Sequence, residues 1–223
     1  MILLTRRLAV LGLLTPALAA CGGQTGAGGQ GAVASGPLPD DMSLGNPAAK
    51  VTVVEYASVA CPVCGRWYKE VWPAFKAKYI DTGKVHYIFR EMLVGDGSEV
   101  AIAASGFLLA RCAGKDRYFQ VVDAVFKSQP DPNGGPRTQP SLYDDPKGVL
   151  TGIAKTFGFS EEQFNTCIAD SAALNALQAR VAANAKNGQV DSTPTFVING
   201  KAMEPGAQPL AAIDAAIAQA QAG

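Results

Sequence analysis

Histidine is almost missing from this chain: His86 is the sole one in 223 residues, and there is no second Cys-x-x-Cys. A structural zinc takes four Cys or His ligands, so the set for a finger or ribbon is incomplete. Charge of one sign is missing too. The 19 basic side chains balance 19 acidic ones, and the Lys and Arg are scattered singly rather than in a stripe. That leaves no electrostatic footprint for a nucleic acid. The apolar run from Leu8 to Ala20 falls short of the roughly 20 residues a membrane-spanning helix needs. What is present in quantity is core material, 48% hydrophobic residues, enough for one ordinary globular domain.

Arg6 and Arg7 precede the short apolar run, the layout of a signal peptide over residues 1–20 that is removed on export. Leu18-Ala19-Ala20-Cys21 resembles the bacterial lipobox, in which the cysteine is lipidated and becomes the new N-terminus. Ordinary cleavage after Ala17-Leu18-Ala19 is the alternative, and it would leave Cys21 as a stray thiol. An odd exposed cysteine is a liability in an oxidising compartment, which favours the lipid. Gly22 to Gly36 is Gly, Gln, Ala, Thr and Ser without periodicity, so residues 21–38 read as a flexible tether and 39–223 as the folded domain. The expected location is the periplasmic side of a bacterial membrane, with the lipid on Cys21 as the membrane contact.

Of the remaining four cysteines, Cys61 and Cys64 form a CPVC motif. Val51 to Tyr56 before it is a β-branched apolar run, and after it Trp67, Val71, Phe75 and Tyr79 recur every fourth residue. The motif therefore sits where a strand hands over to a helix. Proline is favoured at the first helical position, so Pro62 makes Cys61 the N-cap, facing unpaired amides and the positive end of the helix dipole. Cysteines in that setting have pKa values lowered to roughly 3.5 to 7.5, which makes Cys61 the nucleophile and Cys64 the resolving thiol. Half of a zinc site and a purely structural disulfide are the competing readings of the pair. Cys112 and Cys167 are either a second disulfide stapling two helices or two buried thiols, and export favours the bridge.

The redox helix is expected over Pro62 to Tyr79, followed after Gly83 by a strand over Val85 to Leu93. His86 lies on that strand and reads as an ordinary half-exposed histidine. Helices are expected at 98–112, 116–128, 147–157, 160–169 and 172–186, with a Ser160/Gln163 capping box and Gly188 as the stop. Gln129 to Pro146, rich in Pro, Gly and Asp, is a long surface loop to which the sequence assigns no role. Thr195 to Ile198 is strand-like, Asn199-Gly200 signals a type I′ hairpin into Lys201 to Met203, and 209–221 is a last helix. Strand–helix–strand, a helical block at about 96–189, then strand–strand–helix resembles a thioredoxin-type sheet interrupted by an all-helical subdomain. The fold class is α/β with a mixed sheet.

With Glu55, the CPVC and Thr193-Pro194-Thr195-Phe196, and with Leu44-Gly45-Asn46-Pro47 as lead-in, this order resembles the DsbA-like family of thiol:disulfide oxidoreductases. The resemblance implies that Thr193-Pro194 carries a cis bond and lies against the CPVC. It implies that Thr193 and Pro194, with Pro62 and Val63, bind substrate, the exposed backbone at Thr193 pairing with an extended segment. It also makes Glu55 the buried acid beneath the site. A carboxylate in the run Val51 to Tyr56 is costly to bury, which argues for a task such as accepting the Cys64 proton, unless it reaches water at a strand end. Val63 departs from the family's most oxidising members, which carry His there, so a milder oxidant is expected.

The partners implied are cysteine-containing exported proteins and a membrane redox partner that resets the pair, for a monomeric protein needing no cofactor and no metal. Oxidase, reductase and isomerase all stay open within that class. A copper-handling or soft-metal lipoprotein is the competing class, with Met92 and His86 as candidate additions to the two thiolates.

Overall fold

The structure is a computed structural model and describes residues 36–134 and 138–222. The predicted signal peptide, the predicted lipidation site Cys21 and the predicted tether up to residue 35 lie outside the described residues. Among the described residues five strands form one sheet in the order β1-β3-β2-β4-β5. These are β1 (Met42–Gly45), β2 (Val51–Ala57), β3 (Val85–Glu91), β4 (Thr195–Ile198) and β5 (Lys201–Ala202). β2 and β3 run parallel, as expected of a strand–helix–strand unit, and the other neighbours pair antiparallel. β1 is a correction to the sequence reading, which took Leu44-Gly45 as lead-in only. It is four residues long at the sheet edge, with Met42 buried and Ser43 and Gly45 exposed, too little pattern to register as a strand.

The redox helix is also not continuous. It divides into α1 (Pro62–Glu70), α2 (Trp72–Phe75) and a wide π turn (Lys76–Ile80). Pro73 has no N–H to give the preceding turn, so α1 ends with Val71 at φ −113°, and the segment closes with Asp81 N–H donating to the Lys76 carbonyl five residues back. The predicted apolar face survives the break, since Trp67, Phe75 and Tyr79 are buried and Val71 is half-buried. His86 is a second correction: it is 5% exposed rather than half-exposed. β3 lies between β1 and β2, so it is an interior strand and all seven of its residues are buried.

α3 (Gly97–Cys112), α4 (Lys115–Ser128), α5 (Pro146–Thr156), α6 (Glu161–Ala169) and α7 (Ser171–Gly188) lie between β3 and β4 in the chain, and α8 (Leu210–Ala222) ends it. The Ser160/Gln163 capping box starts α6. Gly188 does not stop α7; it is the last helical residue, and the left-handed residue is Gln189 at φ 49°. Glycine is required at 188 for space, because a Cβ there would lie 2.6 Å from the Tyr56 ring. Asn199 and Gly200 both have positive φ, 45° and 83°, as a type I′ turn needs. Cys112 and Cys167 are joined, tying α3 to α6 across 55 residues with Cα atoms 6.0 Å apart. On loop-entropy grounds that crosslink contributes about 4 kcal/mol.

Two buried ionic clusters bind the helical block and the N-terminal segment to one end of the sheet. Glu91, 1% exposed at the end of β3, accepts from Arg111 Nε (2.7 Å), Arg180 Nε (3.0 Å) and the Tyr118 hydroxyl (2.9 Å), while its carbonyl takes Asn184 Nδ2. This joins α3, α4 and α7 to the strand next to Ala57, its partner in register at the end of β2. Arg90 beside it bonds Asp41, the Tyr56 hydroxyl and the Gly36 carbonyl. Both clusters thus fix the end of β3 beside Ala57, the last residue of β2.

Candidate active site

β2 ends at Ala57, and a tight turn follows in which Cys61 N–H donates to the Ser58 carbonyl at 3.1 Å. Cys61 has extended backbone (φ −80°, ψ 122°) and caps α1: its Sγ accepts from Cys64 N–H at 3.5 Å, and its carbonyl takes Gly65 N–H at 3.0 Å. Pro62 supplies the first helical residue without an N–H to satisfy, and the first turn holds no acid to repel an anion. Across from α1, the Thr193-Pro194 bond is cis, and the Cys61 thiol lies 3.5 Å from the Thr193 carbonyl, to which it donates.

The two sulfurs sit in different surroundings. Cys61 is part-exposed and its thiol is pulled down to about 6, first by the Cys64 thiol donating to it, then by the Thr193 hydroxyl and the amides of Cys64 and Val63, against the upward push of burial. Cys64 is fully buried, and burial, followed by the neighbouring Cys61, pushes its thiol well above the ordinary value. Glu55 is fully buried on β2 and its carboxyl is pushed up to about 8 by burial; the Tyr87 hydroxyl, donating to Oε2 at 2.5 Å, pulls the other way, and charge on Cys61 adds to the rise. Glu55 Oε1 has no hydrogen-bond partner among the described residues. Glu55 thus does not reach water at a strand end.

Cys61, Cys64, Glu55, Thr193 and Pro194 come together. Pro62 and Val63 form the outer lip of the site, and among the described residues Val63 is the large apolar side chain left exposed, at 38%. Cys112 and Cys167 are bonded elsewhere, in the helical block. His86 and Met92 are both buried, and no group of three or more His, Cys, Asp or Glu that could hold a metal occurs among the described residues. No described helix is long and apolar enough to cross a membrane.

Two residues at the site escaped the sequence reading. Gln129, 5% exposed, donates its amide to the Val59 carbonyl at 2.7 Å and to the Cys61 carbonyl at 3.4 Å. Tyr143 donates to the Ala60 carbonyl at 3.0 Å. The only local hint was an aromatic residue inside a segment rich in Pro, Gly and Asp.

A thiol pair at a helix start, facing a cis-proline loop at the end of two paired interior strands of a mixed sheet, defines a class of thioredoxin-like redox proteins, and comparison with known proteins agrees. The Thioredoxin family profile matches residues 38–219. A Rickettsia bellii protein named "Putative protein-disulfide oxidoreductase" is 32% identical over 161 residues, 72% of this chain and 58% of that protein, so the chain spans little more than half of that relative. Disulfide bond formation protein D of Bacillus subtilis is 26% identical over 164 residues, 72% of this chain and 68% of that one. The crystal structure of Wolbachia pipientis alpha-DsbA1 superposes with a TM-score of 0.66 at 27% identity, covering 83% of this chain and 95% of that one. The chain belongs to the thioredoxin family, within its DsbA-like group.

Proposed function

We propose that this chain is an exported protein thiol:disulfide oxidoreductase that oxidises cysteine pairs in other exported proteins through Cys61 and Cys64. The supporting observation is the asymmetry of the two sulfurs: a part-exposed thiol at about 6 beside a buried one well above its ordinary value. One is stable as a thiolate at neutral pH, and the other is not and needs a proton when it is released.

In the oxidising direction a substrate thiolate attacks Sγ of Cys61 in the Cys61–Cys64 disulfide, forming a mixed disulfide and releasing Cys64 as a thiolate. Glu55, protonated at pH 7 and aimed into the same buried space, gives that thiolate a proton and later recovers one from solvent. The second substrate thiolate attacks the substrate sulfur of the mixed disulfide and releases Cys61 as a thiolate. Two electrons pass from the substrate dithiol to the pair, and a membrane redox partner removes them. The Thr193-Pro194 loop and the lip of Pro62 and Val63 hold the substrate segment by main-chain and apolar contacts, which tolerate many sequences. In this reading residues 1–20 are a signal peptide, Cys21 carries the lipid, 21–38 are a tether and 39–223 the redox domain with its insertion at about 96–189.

The oxidant is a mild one. With Cys61 at about 6 rather than 9.0, the thiolate favours the dithiol form at pH 7 by at most about 1.4 kcal/mol, or about 30 mV, and solvent screening at the part-exposed sulfur lowers this. A thiol at about 3.5 would give roughly 100 mV by the same arithmetic. The test is Cys61→Ser, which should abolish both dithiol oxidation and insulin reduction; full activity in that variant would remove the proposal. Trapping the pair by alkylation in cells reads the direction, disulfide supporting oxidation and dithiol refuting it.

A further inference from the structure

The loop after α4 received no role from its sequence, yet its two ends meet the active-site turn. Val59, Ala60 and Cys61 are consecutive, and each of their carbonyls accepts a side-chain donor from that loop. Gln129 Nε2 reaches Val59 (2.7 Å) and Cys61 (3.4 Å), and the Tyr143 hydroxyl reaches Ala60 (3.0 Å). The Gln129 side chain is pressed against α1, so that a Cβ on Gly65 would lie 1.9 Å from its Oε1. Lys69, on the last turn of α1, donates to the Gln129 and Pro130 carbonyls and closes the loop root onto the redox helix. Val59 and Ala60 are fully buried, so without these donors their carbonyls would be left unpaired in the interior.

We propose that Gln129 and Tyr143 are positioning residues: the two ends of the loop clamp the 59–61 turn and hold Cys61 in the backbone orientation that aims its sulfur at the Cys64 amide. The loop thereby tunes the redox pair without touching the substrate. The assignment of the reaction rests on the function proposed above; the clamp rests on the three carbonyls. Without the loop the Cys61 carbonyl keeps only the Gly65 amide, so its negative end is less compensated beside its own sulfur, and with the Val59 and Ala60 carbonyls unpaired the turn relaxes from φ −80°, ψ 122°. Both changes disfavour the thiolate.

The test uses Gln129→Met, which keeps shape and loses the donors, Tyr143→Phe, which loses one hydroxyl, and the double variant. Thiolate formation is followed by ultraviolet absorbance against pH, and redox poise by equilibration with glutathione. The double variant should move the Cys61 midpoint from about 6 to about 7, which lowers the dithiol-to-disulfide constant about fivefold at pH 7, with each single variant between. An unchanged midpoint in the double variant overturns the clamp, as does equal loss of melting temperature in both redox forms with the poise unmoved, the signature of packing alone. Tyr143→Phe removes one oxygen from a half-buried side chain, so it keeps the question open to measurement if Gln129→Met fails to fold. If the wild type exchanges no protein disulfides, the proposed function falls while the midpoint comparison still decides the clamp.

Discussion

Replacing Glu55 by Gln should change how stability depends on pH, by an amount the site itself sets. The carboxyl titrates near 8 when folded, against an ordinary 4.5, with burial as the main cause. The sign follows from proton counting: between those values the folded chain holds a proton that the unfolded chain releases, so stability is fully present below about 4.5 and falls as pH rises toward 8. The slope is about 1.4 kcal/mol per pH unit, which amounts to about 3 kcal/mol between pH 4.5 and pH 7. Gln keeps an acceptor for the Tyr87 hydroxyl and carries no charge, so the variant should gain about that much on the wild type across the same window. Denaturant unfolding of both proteins at the two pH values gives the double difference, in which every other titrating group cancels. The oxidised forms are the right material, because Cys61 and Cys64 then do not titrate, and losing the Cys61 charge removes only the smallest contribution to the rise at Glu55. A double difference under about 0.5 kcal/mol would refute the reasoning, since it would mean that Glu55 ionises in the folded protein as freely as in water. The same variant should slow release from the mixed disulfide about tenfold or more, because its proton relay is gone.

Two further perturbations act elsewhere. Cys61 is depressed rather than raised, so its contribution to the reduced protein is present above about 9 and lost as pH falls to about 6. Its iodoacetamide alkylation should therefore be half-maximal near pH 6, and Val63→His should move that midpoint lower and shift the glutathione equilibrium toward the dithiol three- to tenfold. A Val63→His protein with the wild-type alkylation profile would show that position 63 does not sense the sulfur. Glu91→Leu should cost about 3 kcal/mol in chemical denaturation, the low end for a broken buried pair because Arg111 and Arg180 are each 20% exposed, and Glu91→Gln should cost less. A loss under about 1 kcal/mol would mean that the cluster does not hold the helical block to β3.

What could be read from the sequence, and what could not, divides by distance along the chain. The β2 strand, the N-cap at Cys61 and the Asn199-Gly200 turn are local patterns: a β-branched run, a proline at the first helical position, two residues suited to positive φ. They needed no knowledge of the rest of the chain. The break in the redox helix was also local, but the four-residue recurrence of Trp67, Val71, Phe75 and Tyr79 outweighed Pro73. His86 was misread because alternation along a strand does not say whether another strand lies on each side. Gln129 and Tyr143 were out of reach for a stronger reason, since their carbonyl partners lie 70 and 83 residues earlier in the chain and a glutamine before a proline carries no mark of that. Thr193, Pro194 and Glu55 were named through a family likeness rather than through any pattern of their own.

Gly65, wedged against Gln129, has a consequence for how such a site can diversify. Of the four residues that follow the nucleophile, Pro62 is committed by the geometry of a helix start, Cys64 by its chemistry and Gly65 by the Gln129 amide, which a Cβ there would have to displace. Only position 63 turns its side chain outward without obligation to the interior. Any lineage that drifts in oxidising strength while keeping this turn has one free letter to write with, and here it reads valine.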